Sequence, residues 1–148
     1  KIIKKLYEAS NTGVKICLIV RGICCLRPNR KKLSENIEVI SIVGDYLEHS
    51  RIYYFHNLGD PLIYSGSADV MIRSYKRRIE SLFRINDNQI KKQAITILNY
   101  NLKDNCNTYV LQEDGTYNKK SYSKKSRFNV FEEFYKINKN NINDHIII

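Results

Sequence analysis

Three groups of arginine and histidine residues stand out, because together they have the chemistry that phosphate binding requires. The first is Arg21, which follows an apolar run; the second is His49 with Arg51; the third is the Ser67-Ala68-Asp69 segment with Arg73, Arg77 and Arg78. Arginine offers a planar fork of N–H donors that fits phosphate oxygens, and histidine can hold, donate or accept a proton or a phosphoryl group. These residue types indicate phosphate binding or phosphoryl transfer if the fold brings them together.

Each of these residues also has a purely structural interpretation. His49 could be a hydrogen-bonded histidine between strands, and Arg21 could form a salt bridge with Glu48 or Glu80. The basic segment could be a charged surface that faces only water. The residues alone leave these alternatives open.

The basic charge of the chain is large and unevenly distributed. The 148 residues carry a formal net charge of +10, and every arginine except Arg127 lies between Arg21 and Arg84, whereas lysines occur over the whole length. Clustered arginine favours phosphate as the partner over a general role in solubility. A nucleic-acid-binding module is an alternative, but such modules place aromatic residues among the basic ones, and here the aromatic residues lie mostly in predicted strands.

Composition and length limit the classes of protein to which the chain can belong. A chain of 148 residues with 43% apolar content can bury one core. No apolar run approaches the ~20 residues of a membrane span, and the first residues lack the order of a signal peptide. The four cysteines have neither paired CxxC spacing nor a histidine at zinc-ligand distance, so we expect reduced thiols, no metal site and a cytoplasmic protein.

The spacing of apolar residues predicts an α/β fold with one mixed, mostly parallel central sheet flanked by helices. Residues 1–11 have the pattern of a helix, and residues 14–20 are apolar at nearly every position, which is typical of a central parallel strand. Further strands are predicted at 37–43, 52–55, 62–65, 77–83 and 108–111, and further helices at 87–102 and 128–135. Because ligands of α/β sheets bind at the carboxyl ends of strands, we expect Arg21 and His49 to meet at one edge of this sheet.

Two regions differ in composition and predict the organisation of the chain. Residues 1–117 form the predicted domain, and residues 118–148 are expected to be a basic, Asn-rich C-terminal extension with one short helix that is loose from Asn138. The apolar residues at the very start indicate a helix already under way. We therefore interpret the chain as a fragment that lacks the N-terminal part of a longer protein.

Several segments closely resemble polyphosphate kinase of the large bacterial type. They occur in that family's order between Lys1 and Tyr117: Leu6–Ser10, Gly13–Ile16, Leu18–Pro28, Leu33–Ile37, Ser41–Gly44, Leu47–Tyr53, Gly59–Pro61, Gly66–Asp69 and Arg77–Glu80. The resemblance implies the C-terminal catalytic domain of an enzyme that reversibly transfers the γ-phosphate of ATP to polyphosphate through a phosphohistidine. That histidine and most of the Mg²⁺ site would belong to the preceding, absent domain, so the fragment alone should be inactive.

The resemblance also implies roles for individual residues. Arg21, in the Val-Arg-Gly segment, and His49, in Glu-His-Ser-Arg, match the family's ATP-binding residues, and His49 is the candidate catalytic residue. Arg51, Arg73 and Arg78 are further candidates for phosphate contact, and no metal ligand is expected here. The implied partners are ATP and inorganic polyphosphate, without nucleic acid or a membrane span, in a full-length enzyme that we expect to be a homo-oligomer.

The family's C-terminal domains in turn resemble halves of phospholipase D, whose motif joins His-x-Lys to a later Gly-Ser-x-Asn. Here the matching segments are His49-Ser50-Arg51 and Gly66-Ser67-Ala68-Asp69, so Arg51 stands in place of the lysine and Asp69 in place of the asparagine. The resemblance implies a phospholipase-D-like fold. The two replacements argue against a phosphodiesterase, which is the alternative enzyme.

Overall fold

The computed structural model describes residues 1–137 and shows that this part of the chain contains four α-helices and seven strands. In chain order the elements are α1 (Ile2–Asn11), β1 (Ile16–Ile19), β2 (Ile37–Ile42), β3 (Ile52–Phe55), β4 (Leu62–Gly66), α2 (Ile72–Lys76), β5 (Leu82–Arg84), α3 (Asn88–Lys103), β6 (Thr108–Leu111), β7 (Tyr117–Lys119) and α4 (Val130–Lys136). The strands form two sheets, ordered β1-β2-β6-β7 and β3-β4-β5. The chain divides into two compact units, the first from Lys1–Glu48 with Asn101–Tyr135 and the second built on His49–Tyr100.

The first unit contains the four-stranded sheet and most of the buried apolar residues. β1 and β2 pair in parallel, while β6 and β7 continue the sheet in antiparallel fashion. One face of the sheet buries Leu26, Ile37, Val39 and Leu111, and the apolar stripe of α1 packs against this cluster. Each such side chain contributes about 1.5–3 kcal/mol when it is removed from water. A well-packed core therefore holds the ends of the two parallel strands in place.

The second unit contains the β3–β4 hairpin, the short strand β5 and the first part of α3. Its buried apolar cluster is small and consists of Ile63, Ala94 and Ile95. The helix α3 begins after Asp87, whose carboxylate accepts hydrogen bonds of 2.9 Å from the backbone N–H groups of Gln89 and Ile90. This is an N-cap arrangement, since it satisfies donors that a helix leaves open at its start.

A close approach between β4 and β5 explains the glycine at the start of the Gly66–Asp69 segment. A Cβ atom on Gly66 would lie 2.1 Å from the backbone carbonyl oxygen of Ser81, which is too near for any side chain. The strands pair there with Gly66 opposite Leu82. Glycine at this position thus permits the pairing that fixes where the following serine and aspartate lie.

The α/β class with flanking helices is confirmed, but the arrangement of the strands differs from the prediction. Only β1 and β2 are parallel among the described pairs, and the strands form two sheets instead of one. β1, predicted to be a central strand, lies at the edge of its sheet, and none of its residues is fully buried. Apolar content alone therefore does not determine the place of a strand in a sheet.

The predicted strand at 77–83 was wrong over most of its length. Residues 77–81 form neither helix nor strand, and β5 begins only at Leu82, so Arg77 and Arg78 lie between α2 and the strand. The predicted short helix near 128–135 is present as α4. The segment from Asn138, predicted to be loose, lies outside the described residues.

Candidate functional site

Arg21 lies in the first unit, directly beyond the carboxyl end of β1. The backbone N–H of Val20 still donates to Ile40, at 2.8 Å, so the strand pairing continues up to this arginine. Arg21 Nη1 donates to the backbone carbonyl of Glu48 at 3.1 Å. The contact with Glu48 that the sequence suggested therefore exists through a carbonyl oxygen, and it holds a half-buried guanidinium at the rim of the sheet.

A cavity of ≈ 250 Å³ lies at the same end of the parallel pair. It is lined by Gly22, Ser41, Val43, Tyr109 and Tyr117, and Gly22 is the residue that follows Arg21. This is the sheet edge at which ligands of α/β proteins collect.

In the second unit, Arg51 and Asp69 form an ion pair. Arg51 Nε lies 3.0 Å from Asp69 Oδ1, and the two side chains are only 18% and 22% exposed. Arg73 Nη2 lies 3.8 Å from the other carboxylate oxygen of Asp69. The two positions at which this chain differs from the phospholipase D motif are thus in direct contact with each other, and their side chains form a salt bridge.

His49 contacts the arginine of this ion pair. Arg51 Nη1 is 3.0 Å from His49 Nδ1 and also donates to the backbone carbonyl of His49 at 2.9 Å. A guanidinium has only donors, so Nδ1 must accept in this contact, and a neutral imidazole then carries its proton on Nε2. His49 itself is exposed.

Glu80 holds two members of the third sequence group, Ser67 and Arg78. Ser67 Oγ donates to Glu80 Oε2 at 2.5 Å and accepts from the backbone N–H of Ser81 at 3.0 Å. Arg78 Nε lies 3.4 Å from Glu80 Oε1, and the Glu80 side chain is only 10% exposed. Arg78, in contrast, is 58% exposed, so a buried carboxylate anchors a cation that faces water.

Tyr53 belongs to the same cluster. Its hydroxyl donates to the carbonyl of Ala68 at 2.9 Å, inside the Gly66–Asp69 segment. Burial, followed by the nearby Tyr75 and Asp69, raises the pKa of Tyr53 above its usual value. The phenol therefore stays protonated and remains a donor. Nothing in the sequence around Tyr53 indicated this hydrogen bond, because it forms only when the hairpin brings two distant segments together.

The structure brings together some of the predicted site residues. His49, Arg51 and Arg73 lie in one cluster around Asp69. Arg78 pairs instead with Glu80, two residues later in the chain. Arg21 follows a strand of the four-stranded sheet, whereas His49 precedes a strand of the three-stranded one. The expectation that both lie at the edge of one common sheet was therefore wrong, because β3 pairs with its hairpin partner β4 instead of joining β1 and β2.

The described residues offer little for metal chemistry. Between residues 1 and 137, no three His, Cys, Asp or Glu side chains are grouped so that they could hold a metal ion. The four cysteines, Cys17, Cys24, Cys25 and Cys106, are free thiols. No helix in the same range is long and apolar enough to cross a bilayer.

Comparison with known proteins gives one consistent family. Residues 1–130 match the family model described as polyphosphate kinase C-terminal domain 2. The chain is 55% identical over 116 residues to the polyphosphate kinase of Staphylococcus haemolyticus and 56% identical over 117 residues to that of Lactiplantibacillus plantarum, covering 78% and 79% of this chain. It spans 16% of the length of each of these relatives.

A solved structure agrees with these sequence matches. The crystal structure of polyphosphate kinase from Porphyromonas gingivalis superimposes with a TM-score of 0.87 at 38% identity, over 91% of this chain and 21% of that one. The fold and the sequence segments around Arg21 and His49 thus lead to the same family by separate routes. This chain belongs to the polyphosphate kinase family, and it corresponds to that family's C-terminal domain 2.

Proposed function

We propose that this chain forms part of the site at which a polyphosphate kinase binds ATP and polyphosphate and transfers the γ-phosphate between them. The observation that carries the proposal is the family match over residues 1–130, which contains both the Val-Arg-Gly and the Glu-His-Ser-Arg segments. The chain spans a minor part of its relatives' length. The complete reaction is therefore assigned to the full-length enzyme and not to this domain alone.

Arg21 is proposed to bind a phosphate oxygen of ATP. Its place at the carboxyl end of a parallel strand is the usual position for a ligand contact. The hydrogen bond to the Glu48 carbonyl limits the motion of the guanidinium. In phosphoryl transfer most of the catalysis comes from positioning cations against oxygens that carry developing charge, so a restrained arginine suits this role.

His49 is proposed to contact the γ-phosphate, either as a hydrogen-bond donor or by transferring a proton. Its exposure leaves the ring accessible to a ligand, and its Nδ1 is engaged by Arg51. Chemistry at this histidine would thus go through Nε2. The residue that carries the covalent phosphoryl group in the proposed cycle is a different histidine, in the part of the enzyme that precedes this domain.

Three further arginines divide into two kinds. Arg73 and Arg78 are 59% and 58% exposed, and each is anchored by a carboxylate, so both are proposed to attract the polyphosphate chain. Arg51 is 18% exposed and already contacts Asp69 and His49, which makes it a poor candidate for direct phosphate binding. Attraction by exposed arginines should weaken as salt concentration rises.

Mg²⁺ is proposed to act with ATP in the full-length enzyme. Among residues 1–137, no three His, Cys, Asp or Glu side chains are grouped so that they could hold Mg²⁺ without ligands from substrate or from another part of the enzyme. No step of the reaction is therefore assigned to a metal held by this domain. A cytoplasmic location and a homo-oligomeric full-length enzyme are further parts of the proposal.

Arg21 can be tested in a full-length polyphosphate kinase that contains this domain. We expect Arg21→Ala to raise the KM for ATP and to lower the rate of polyphosphate synthesis by about a hundredfold or more, since charge-assisted contacts to phosphate are lost. Arg21→Lys should recover only part of the rate, because a lysine lacks the planar fork. Unchanged kinetics in Arg21→Ala would remove Arg21 from the site.

The basic surface can be tested separately against nucleic acid. The chain would be presented with polyphosphate and a single-stranded oligonucleotide of equal charge, and binding of one would be measured while the other is added. We expect polyphosphate to displace the oligonucleotide, and Arg73→Gln with Arg78→Gln to weaken the binding of polyphosphate. Preference for the oligonucleotide would favour the nucleic-acid-binding module instead.

A further inference from the structure

A chain of contacts in the second unit leads from a carboxylate to an imidazole through one arginine. Asp69 Oδ1 lies 3.0 Å from Arg51 Nε, and Arg51 Nη1 lies 3.0 Å from His49 Nδ1. The same Nη1 atom is 2.9 Å from the backbone carbonyl of His49. Arg51 therefore uses one end of its guanidinium for Asp69 and the other for two atoms of His49.

These contacts determine which nitrogen of His49 carries the proton. Arginine cannot accept a hydrogen bond and stays charged, so the nitrogen that faces it must present a lone pair. The bond to the backbone carbonyl of the same residue places Arg51 Nη1 on the Nδ1 side of the ring. Only Nε2 then remains to carry the proton of the neutral imidazole.

Asp69 helps to fix the position of Arg51. Its carboxylate offsets the charge of Arg51, and Arg73 approaches its second oxygen at 3.8 Å. Ser65 Oγ also donates to the backbone carbonyl of Arg51 at 3.0 Å, which fixes the main chain of that residue. Arg51 is thus held from two directions before it reaches His49.

We propose that Arg51, anchored by Asp69, is a positioning residue that holds His49 in the tautomer with its proton on Nε2, so that His49 acts on the phosphoryl group as a hydrogen-bond donor. This rests on the proposed function of His49 and narrows it, because an Nε2–H group can donate to a phosphate oxygen and cannot act as a base. It also gives one physical reason for the two replacements in the motif. Arginine at position 51 needs an acid at position 69.

The tautomer can be observed directly in this chain by ¹⁵N NMR of histidine side chains at a pH where His49 is neutral. We expect an unprotonated Nδ1 and a protonated Nε2 for His49, and a mixture of both tautomers in Arg51→Gln. Arg73→Gln is the matched control, since it removes an equal charge from the same aspartate but has no contact with His49 among those described. A protonated Nδ1 in the unchanged chain, or no change in Arg51→Gln, would overturn the proposal.

Activity in a full-length polyphosphate kinase provides a second readout. The amide nitrogen of glutamine can replace Nε2 of histidine, whereas that of asparagine lies near Nδ1. We expect His49→Gln to keep kcat within about tenfold of the normal value, and His49→Asn to lose about a hundredfold to a thousandfold, as loss of a donor to a developing charge does. Equal losses in both variants would contradict donation from Nε2.

The outcomes separate this proposal from the function on which it rests. If His49→Gln and His49→Asn both retain normal synthesis, His49 has no role in the reaction, and the NMR result still decides what Arg51 does to the ring. Arg51→Lys should show the mixed tautomers with a folded spectrum, because lysine can pair with Asp69 but cannot also reach Nδ1 through a second N–H. A single Nε2–H tautomer in Arg51→Lys would overturn the claim that the guanidinium is required.

Discussion

Two aspartates, one in each unit, show how differently the two halves of the molecule use a carboxylate. Asp104, in the first unit, is fully buried. It accepts hydrogen bonds from the backbone N–H of Asn107 at 2.7 Å and of Val130 at 2.9 Å, and from the side chains of Asn107 and Thr108, each at 3.0 Å. Asp69, in the second unit, faces two arginines, and one of them continues to an exposed histidine.

The difference separates a stabilising network from one that orients a reactive group. Every hydrogen-bond donor to the carboxylate of Asp104 is a neutral group. These hydrogen bonds link the start of α4 to the residues at the start of β6. The partners of Asp69 are charged and incompletely buried, and their contacts end at the surface. The first unit therefore uses buried polarity for stability, and we propose that the second uses it to orient His49.

The same substitution in both units provides the largest expected contrast. Asp104→Asn replaces one acceptor oxygen by an NH₂ group that faces N–H donors, so we expect a loss of roughly 3 kcal/mol in the free energy of unfolding. Asp69→Asn breaks a partly exposed ion pair and should cost about 1 kcal/mol or less. Denaturant unfolding of the two variants checks this. Similar losses would mean that the two networks do not differ in the way described.

Two glycines test how tightly each unit is packed. A Cβ atom on Gly66 would meet the backbone of Ser81 at 2.1 Å, and one on Gly44 would meet the ring of Phe131 at 2.2 Å. Because a ring can move and a paired strand cannot, we expect Gly66→Ala to cost about 2–3 kcal/mol and Gly44→Ala about 1 kcal/mol. Thermal unfolding measures both. Gly22→Ala is the control, since a Cβ atom there meets nothing within 4 Å.

The N-cap of α3 should have a smaller effect. Asp87→Ala removes the acceptor for two backbone N–H groups, and we expect the free energy of unfolding to fall by about 1 kcal/mol. The neighbouring Asn86→Ala serves as the comparison and should be nearly neutral. If both substitutions have the same effect, the carboxylate does not cap the helix.

The smallest effect concerns Cys17 in the first unit. Burial of its sulfur, and then the charge of Glu38 opposite it in the sheet, raise the pKa of Cys17 to about 11. Only ~0.1% of the thiol is then ionised at pH 8, so alkylation should be slow. Glu38→Gln should accelerate the reaction a few-fold and Lys120→Gln should slow it, because Lys120 lowers this pKa. Rates measured by mass spectrometry that move in the opposite directions would contradict this assignment.

Local signals predicted the parts of the fold that depend on nearby residues. The strands β3 and β4 and the helices α1 and α3 were all predicted close to their observed bounds, since each depends on the apolar pattern of a short stretch of residues. The division into two sheets was not recognisable. Strand partners are chosen by contacts between distant segments, and apolar content does not specify which strands pair.

The candidate site shows the same limit. Residue type and motif made Arg21, His49 and Arg51 candidates, but the guanidinium of Arg51 is held by Asp69, which lies 18 positions later in the chain. The only signal for that contact was the simultaneous departure of Arg51 and Asp69 from the lysine and asparagine of the resembled motif. Glu80 gave no signal, because its link to Ser67 forms only when β5 pairs with β4.

The rate of polyphosphate synthesis by a full-length polyphosphate kinase carrying His49→Ala tests the central claim most directly. At saturating ATP we expect the rate to fall by about a hundredfold or more while the melting temperature stays within a degree or two, since His49 is exposed and contributes little to packing. Near-normal synthesis in a folded variant would show that His49 does not act on the phosphoryl group, and the role proposed for this domain would be contradicted.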